Sequence, residues 1–149
     1  MKDFEIKLPD MAAWARNLEA DFLGARRAGM INIVADIEAL AVKGAPKRTS
    51  NLANSGSSNV NEGGTKGTIT FSAPYAEFVH EGTGLYGPHK TNIVPKNKKA
   101  LFWPGAGHPF GSVKGMVGRP FLMDAAKATD PNRSFTEGVN NYLALGRGR

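Results

Sequence analysis

Apolar residues recur at helical spacing at Met11, Trp14, Ala15, Leu18, Phe22 and Ala25, with Arg16, Glu19, Asp21 and Arg26 turned away. The pattern resumes at Met30, Ile33, Val34, Ile37, Leu40 and Ala41, and stops at Gly44 and Pro46. Gly29 lies between the two runs, so two helices or one long kinked helix are expected over the first third of the chain. Before them, Phe4, Ile6 and Leu8 alternate with charged residues, as in a short strand or arm, and Asp10 after Pro9 has the place of a helix cap.

From Lys47 to Asn61 Ser, Asn and Thr dominate, which predicts a turn leading into a weak edge strand. Gly63, Gly64 and Gly67 predict a hairpin. Beyond it Ile69, Phe71 and Ala73 alternate with Thr68, Thr70 and Ser72, the clearest strand of the sequence. That strand leads into Ala73–Thr83, where Pro74 is expected to open a helix of about two turns and Gly82 to close it in a left-handed cap. Tyr75, Phe78 and Val79 form its predicted apolar face, with Glu77, His80 and Glu81 pointing elsewhere.

Residues 84–118 read as an extended Gly- and Lys-rich ribbon or loop. Lys98 to Trp103 is one arm and Ser112 to Arg119 the other, weakened by Gly115 and Gly118. Phe102 and Trp103 alternate along the first arm, which predicts that at least one is core. Pro120 starts a further helix carrying Phe121, Leu122, Ala125 and Ala126. Ser134-Phe135-Thr136-Glu137 has the form of a capping box before a last helix, and residues 146–149 read as a flexible basic tail. The fold class expected is α+β: N-terminal helices, an antiparallel sheet with a long ribbon, a short central helix and C-terminal helices. A length of 149 residues matches one domain with a modest core.

Charge changes this picture through its distribution. The chain carries +6, but up to Glu81 nine Lys and Arg stand against ten Asp and Glu, whereas from Gly82 onward there are ten against three. Between Gly82 and Met123 no carboxylate occurs, while Lys90, Lys96, Lys98, Lys99, Lys114 and Arg119 do. Such a stretch favours phosphates or an acidic partner surface, and is also compatible with a plainly solvated face. Glu81, in the last turn of a short helix, faces the negative end of the dipole at a cost of about 0.3–1 kcal/mol when exposed. Either solvent or a basic group, such as Arg119, is expected to compensate it.

Chemistry of a catalytic kind finds little support. With no cysteine, neither disulfides nor Cys-based zinc sites can form. His80-Glu81 starts like a zinc-protease helix, but glycine occupies position 84 where the second histidine is needed, and His80, His89 and His108 lie on different segments. No phosphate loop is present, and Ser55 and Ser57 lack a local general base. No run approaches the ~20 apolar residues of a membrane span, and the first nine residues have no secretory core.

Three pieces carry a resemblance: Ala45-Pro46-Lys47-Arg48-Thr49-Ser50-Asn51-Leu52-Ala53-Asn54-Ser55, then Tyr75-Ala76-Glu77-Phe78-Val79-His80-Glu81-Gly82-Thr83, then Arg119-Pro120-Phe121-Leu122-Met123-Asp124-Ala125-Ala126. In this order, after a leading helix, they resemble the neck, or head-to-tail joining (tail-completion), proteins of tailed double-stranded DNA bacteriophages. Ser50 stands where that family usually has glycine, and Arg48 where aspartate is common. The resemblance implies a structural virion protein without catalysis or cofactor, assembled in the host cytoplasm into a homo-oligomeric ring of six or twelve copies. It implies a head-closure or connector protein on one side, a tail terminator or tail tube protein on the other, transient contact with genomic DNA and no membrane partner. The subunit contacts expected are Tyr75, Glu77, His80, Glu81, Thr83, Arg119 and Phe121. Lys90, Lys96, Lys98, Lys99 and Lys114 are expected to face the DNA channel or a partner. A tail-terminator ring and a small basic nucleic-acid-binding protein are the alternatives.

Overall fold

The computed structural model describes residues 11–47 and 50–146. The expected first strand, the Asp10 cap, Arg48 and the last three residues lie outside the described residues, as do the side chains of Met11 and Trp14. The architecture is α+β. Helix α1 (Met11–Gly44) is followed by a one-turn helix α2 (Asn51–Asn54), a hairpin of β1 (Gly56–Val60) and β2 (Gly67–Phe71), a short helix α3 (Ala76–Glu81), and C-terminal helices α4 (Phe121–Ala128) and α5 (Pro131–Gly146). The two strands form an antiparallel two-stranded sheet. No helix among the described residues is long and apolar enough to cross a membrane.

The chain forms two compact units, one from residues 11–36, 58–68 and 129–146, the other from residues 37–57 and 69–128. In the first, α1 runs through Gly29 without interruption. The reason is a helix contact: a Cβ at Gly29 would lie 2.5 Å from the Phe135 ring, and one at Gly138 of α5 would lie 2.6 Å from the Ala28 carbonyl oxygen and 2.9 Å from Gly29 Cα. Two glycines facing each other let α1 and α5 approach backbone to backbone. Gly138→Ala should therefore cost about 1–3 kcal/mol by overpacking, more than its gain in helix propensity, as measured by urea unfolding.

The capping box predicted at Ser134 is not one. Asp130 caps α5, its Oδ1 accepting from the backbone N–H groups of Asn132 (3.0 Å) and Arg133 (3.2 Å), and Pro131 takes the first helical position. Ser134 lies inside the helix, buried, where its hydroxyl donates to the Asp36 carboxylate and its carbonyl accepts from Asn32 Nδ2 at 2.7 Å. Glu137 pairs instead with Arg133 at 2.8 Å. The Asp-Pro pair outcompetes the Ser-x-x-Glu pattern because it starts the helix four residues earlier.

The second unit holds a core of Ala41, Ala45, Leu52, Phe121 and Ala125, flanked by Ile37, Phe71, Ala76, Val79 and Leu122. Phe121 is the keystone: its ring meets Phe71 edge-on at 5.0 Å and the His80 ring at 5.6 Å. Before α2, Ser50 adopts φ 58 and ψ −5, the left-handed region that glycine enters without a Cβ penalty. Ser50→Gly should thus stabilise the protein by about 1 kcal/mol, seen as a higher midpoint in chemical denaturation.

Residues 82–118 fold back on themselves as an irregular antiparallel ribbon in place of two regular arms. Single bridges join Gly82 to Val117, Ile93 to Val113 and Leu101 to Phe110. Proline and glycine between these points remove donors and free the backbone, so no ladder propagates.

Candidate functional site

Helix α3 begins two residues later than the sequence suggests. Pro74 belongs to the preceding turn, closed by the Ala76 N–H donating to the Ala73 carbonyl at 2.9 Å. The face it buries is also displaced by one residue. Ala76 and Val79 pack on the core and His80 on the Phe121 ring, whereas Tyr75 (38% exposed) and Phe78 (55%) remain on the surface. Ala76, Val79 and His80 are themselves at i, i+3 and i+4, and Phe121, 41 positions beyond His80, selects that face.

At the end of α3, Gly82 takes φ 87 and ψ 175, an extended mirror-image conformation and not the left-handed cap expected. It starts a close backbone crossing. A Cβ on Gly82 would stand 2.6 Å from Gly118 N and 2.8 Å from Met116 O, and one on Gly118 would stand 2.6 Å from Glu81 O. Gly84 (φ 63) and Gly115 (φ 90) would run into Lys114 and Thr83 in the same way. Thr83 ties the crossing, donating its N–H to Met116 O (2.8 Å) and accepting the Met116 N–H on its Oγ1 (2.9 Å). Arg119 N–H donates to Val79 O at 2.8 Å, which fixes the returning strand to α3. The mutual backbone approach of these four glycines is not visible in the sequence. Each looks like loop punctuation until the partner strand, some thirty residues away, is known.

Two grooves flank this crossing. One, of about 760 Å³, is lined by Pro46, Leu52, Tyr75, Val79, Val117 and Arg119, among others. All three sequence pieces that carry the family resemblance therefore meet at its walls. The second, of about 460 Å³, lies along the outer side of α3 and includes Glu77, Phe78, Glu81, His89, Ile93 and Lys96.

The expected contact residues divide accordingly. Tyr75 and Arg119 line the first groove and Glu77, Glu81 and Thr83 the second. His80 is half-buried on Phe121. Phe121, expected at a subunit contact, is only 5% exposed and belongs to the chain's own core, because α4 turns it inward toward Leu52 and Ala41. Glu81 and Arg119 form no ion pair among the described residues. Lys90, Lys96, Lys98, Lys99 and Lys114 are all exposed.

Phe102 and Trp103 are both on the surface, at 68% and 45% exposure, against the expectation that one is core. Trp103 is instead held within the ribbon, its ring stacked on Phe110 at 5.2 Å and 15°. Among the described residues no group of three His, Cys, Asp or Glu side chains is arranged to hold a metal ion. Compared with family models, with curated proteins and with solved structures, the chain gives no significant match.

Proposed function

We propose that this chain is a structural subunit of a tailed-bacteriophage neck, forming a homo-oligomeric ring of six or twelve copies between the head-side connector and the tail, through which DNA passes. Supporting this is the convergence of the three resembling segments. Residues 45–55, 75–83 and 119–126 supply Ala45, Leu52, Val79, Phe121 and Ala125 to one core, and they border one groove. Ser50 adds to it, because the position where the neck proteins usually have glycine is here left-handed. The ribbon also leaves Leu85, Tyr86, Val94, Phe102, Met116 and Val117 substantially exposed, an apolar surface of the kind that subunits cover for one another. In this role the exposed ribbon lysines make weak, sequence-independent contacts to DNA or to a partner, and no residue has a catalytic task.

The test is position in a particle. Phage or prophage particles carrying a tagged copy should show a symmetric ring of this chain at the head–tail joint. A tag found elsewhere on the particle, or on none, would remove the proposal, and a ring already present on the head-proximal end of free tails, before heads attach, would favour the tail-terminator role.

One observation favours a second reading, a small basic nucleic-acid-binding protein: exposed Phe102 and the Trp103–Phe110 stack stand beside Lys96, Lys98 and Lys99 in sequence. That protein would hold DNA at physiological salt with an affinity falling steeply as salt rises, whereas a channel lining holds none stably.

A further inference from the structure

The outer face of α3 and the far end of the ribbon are complementary in charge; the base of the ribbon brings its own His89 and Lys96 to the α3 groove, whereas the far end, with Lys98, Lys99 and Phe102, does not line it. The α3 face presents Glu77 and Glu81 around the exposed Phe78, over the groove of about 460 Å³. Neither glutamate makes an ion pair with a lysine among the described residues. The ribbon end presents Lys98 and Lys99 ahead of Phe102, the most exposed aromatic of the ribbon. It is also a built surface. Leu101 and Phe110 exchange backbone hydrogen bonds at 2.7 and 2.9 Å, Ala106 N–H donates to Trp103 O at 2.9 Å, and Trp103 stacks on Phe110.

We infer that the ribbon end of one copy docks on the α3 face of a second copy, Phe102 entering the groove beside Phe78 while Lys98 and Lys99 approach Glu77 and Glu81. The occupant is a second copy because each chain carries both halves of the match, an acid-free basic segment and the acidic pair. The contact is head-to-tail, the kind that closes into a ring when its rotation allows. It deepens the ring proposed above and rests on it. The ion pairs would set register and selectivity and the aromatic insertion would supply burial.

The absence of cysteine makes the test direct. Glu81→Cys and Lys99→Cys chains, mixed and mildly oxidised, should give a mixed disulfide-linked pair, and Glu81→Cys with Asn141→Cys on α5 should not. A chain carrying both Glu81→Cys and Lys99→Cys should give a ladder of linked species. Separately, Glu77→Lys with Glu81→Lys should weaken self-association at least tenfold, and mixing with a Lys98→Glu, Lys99→Glu chain should recover it. A ladder ending at six or twelve supports both this contact and the ring. A ladder ending at two supports the pairing of the two surfaces, but in a reciprocal two-fold dimer, and sinks both the head-to-tail form and the ring. No mixed adduct from the cysteine variants, where the wild-type chain weighs as a ring, would overturn the contact alone, and a wild-type chain that never associates would overturn both.

Discussion

Phe121→Ala should lower the unfolding free energy by about 3–5 kcal/mol, the range for removing a buried aromatic and leaving its cavity. Phe121 is where the second unit's segments meet. It is 5% exposed, sits with Ala41, Ala45, Leu52 and Ala125, and closes on Phe71 and His80 edge-on. Burial of a Phe side chain contributes about 1.5–3 kcal/mol, and edge-to-face pairing adds about 0.5–1.5 kcal/mol. The cavity would open beneath α3, so Val79 and His80 would lose their support together. Urea unfolding followed by circular dichroism gives the number. A loss below about 1 kcal/mol would mean that the core described is not the one that holds the chain. Phe121→Leu, which keeps most of the volume, should cost less than half as much.

Gly82→Ala should cost about 3 kcal/mol or more, by a different route. Its φ 87 and ψ 175 lie in a region essentially reserved for glycine, worth about 1–3 kcal/mol of strain for any other residue. The added methyl would also meet Gly118 N at 2.6 Å and Met116 O at 2.8 Å. Both neighbours are backbone, so neither can swing aside as a flexible side chain would. The expected result is loss of the strand crossing at the ribbon base, with protease cleavage between residues 84 and 118 at concentrations that leave the parent intact. Gly111→Ala is the matched control, since a Cβ there meets nothing within 4 Å. Equal stability of the two variants would contradict the crossing.

Much of the fold was legible because it rests on local pattern. The spacing of apolar residues located α1, the alternation at Ile69 and Phe71 located β2, and Pro120 located the start of α4. The failures share a cause, which is distance in sequence. Gly29 reads as a kink until Phe135 and Gly138 are brought against it. The buried face of α3 reads as Tyr75, Phe78 and Val79 until Phe121 chooses Ala76, Val79 and His80. Ser134 reads as a cap until Asp130 and Pro131 start the helix earlier and its hydroxyl turns to Asp36. At the candidate site, the acidic residues and the basic ribbon were visible as charge along the chain. The glycine crossing at the end of α3 was not, because each glycine is explained only by a backbone atom on the other strand.

The ribbon exposes Phe102, Val94 and Val117, which in the proposed assembly copies of this chain cover for one another. The mass of the purified full-length protein in solution, read by native mass spectrometry across a range of concentrations and salt, measures this most directly. A closed species of six or twelve copies is the predicted result, dissociating as salt rises. A monomer that persists to high concentration at low salt would contradict it.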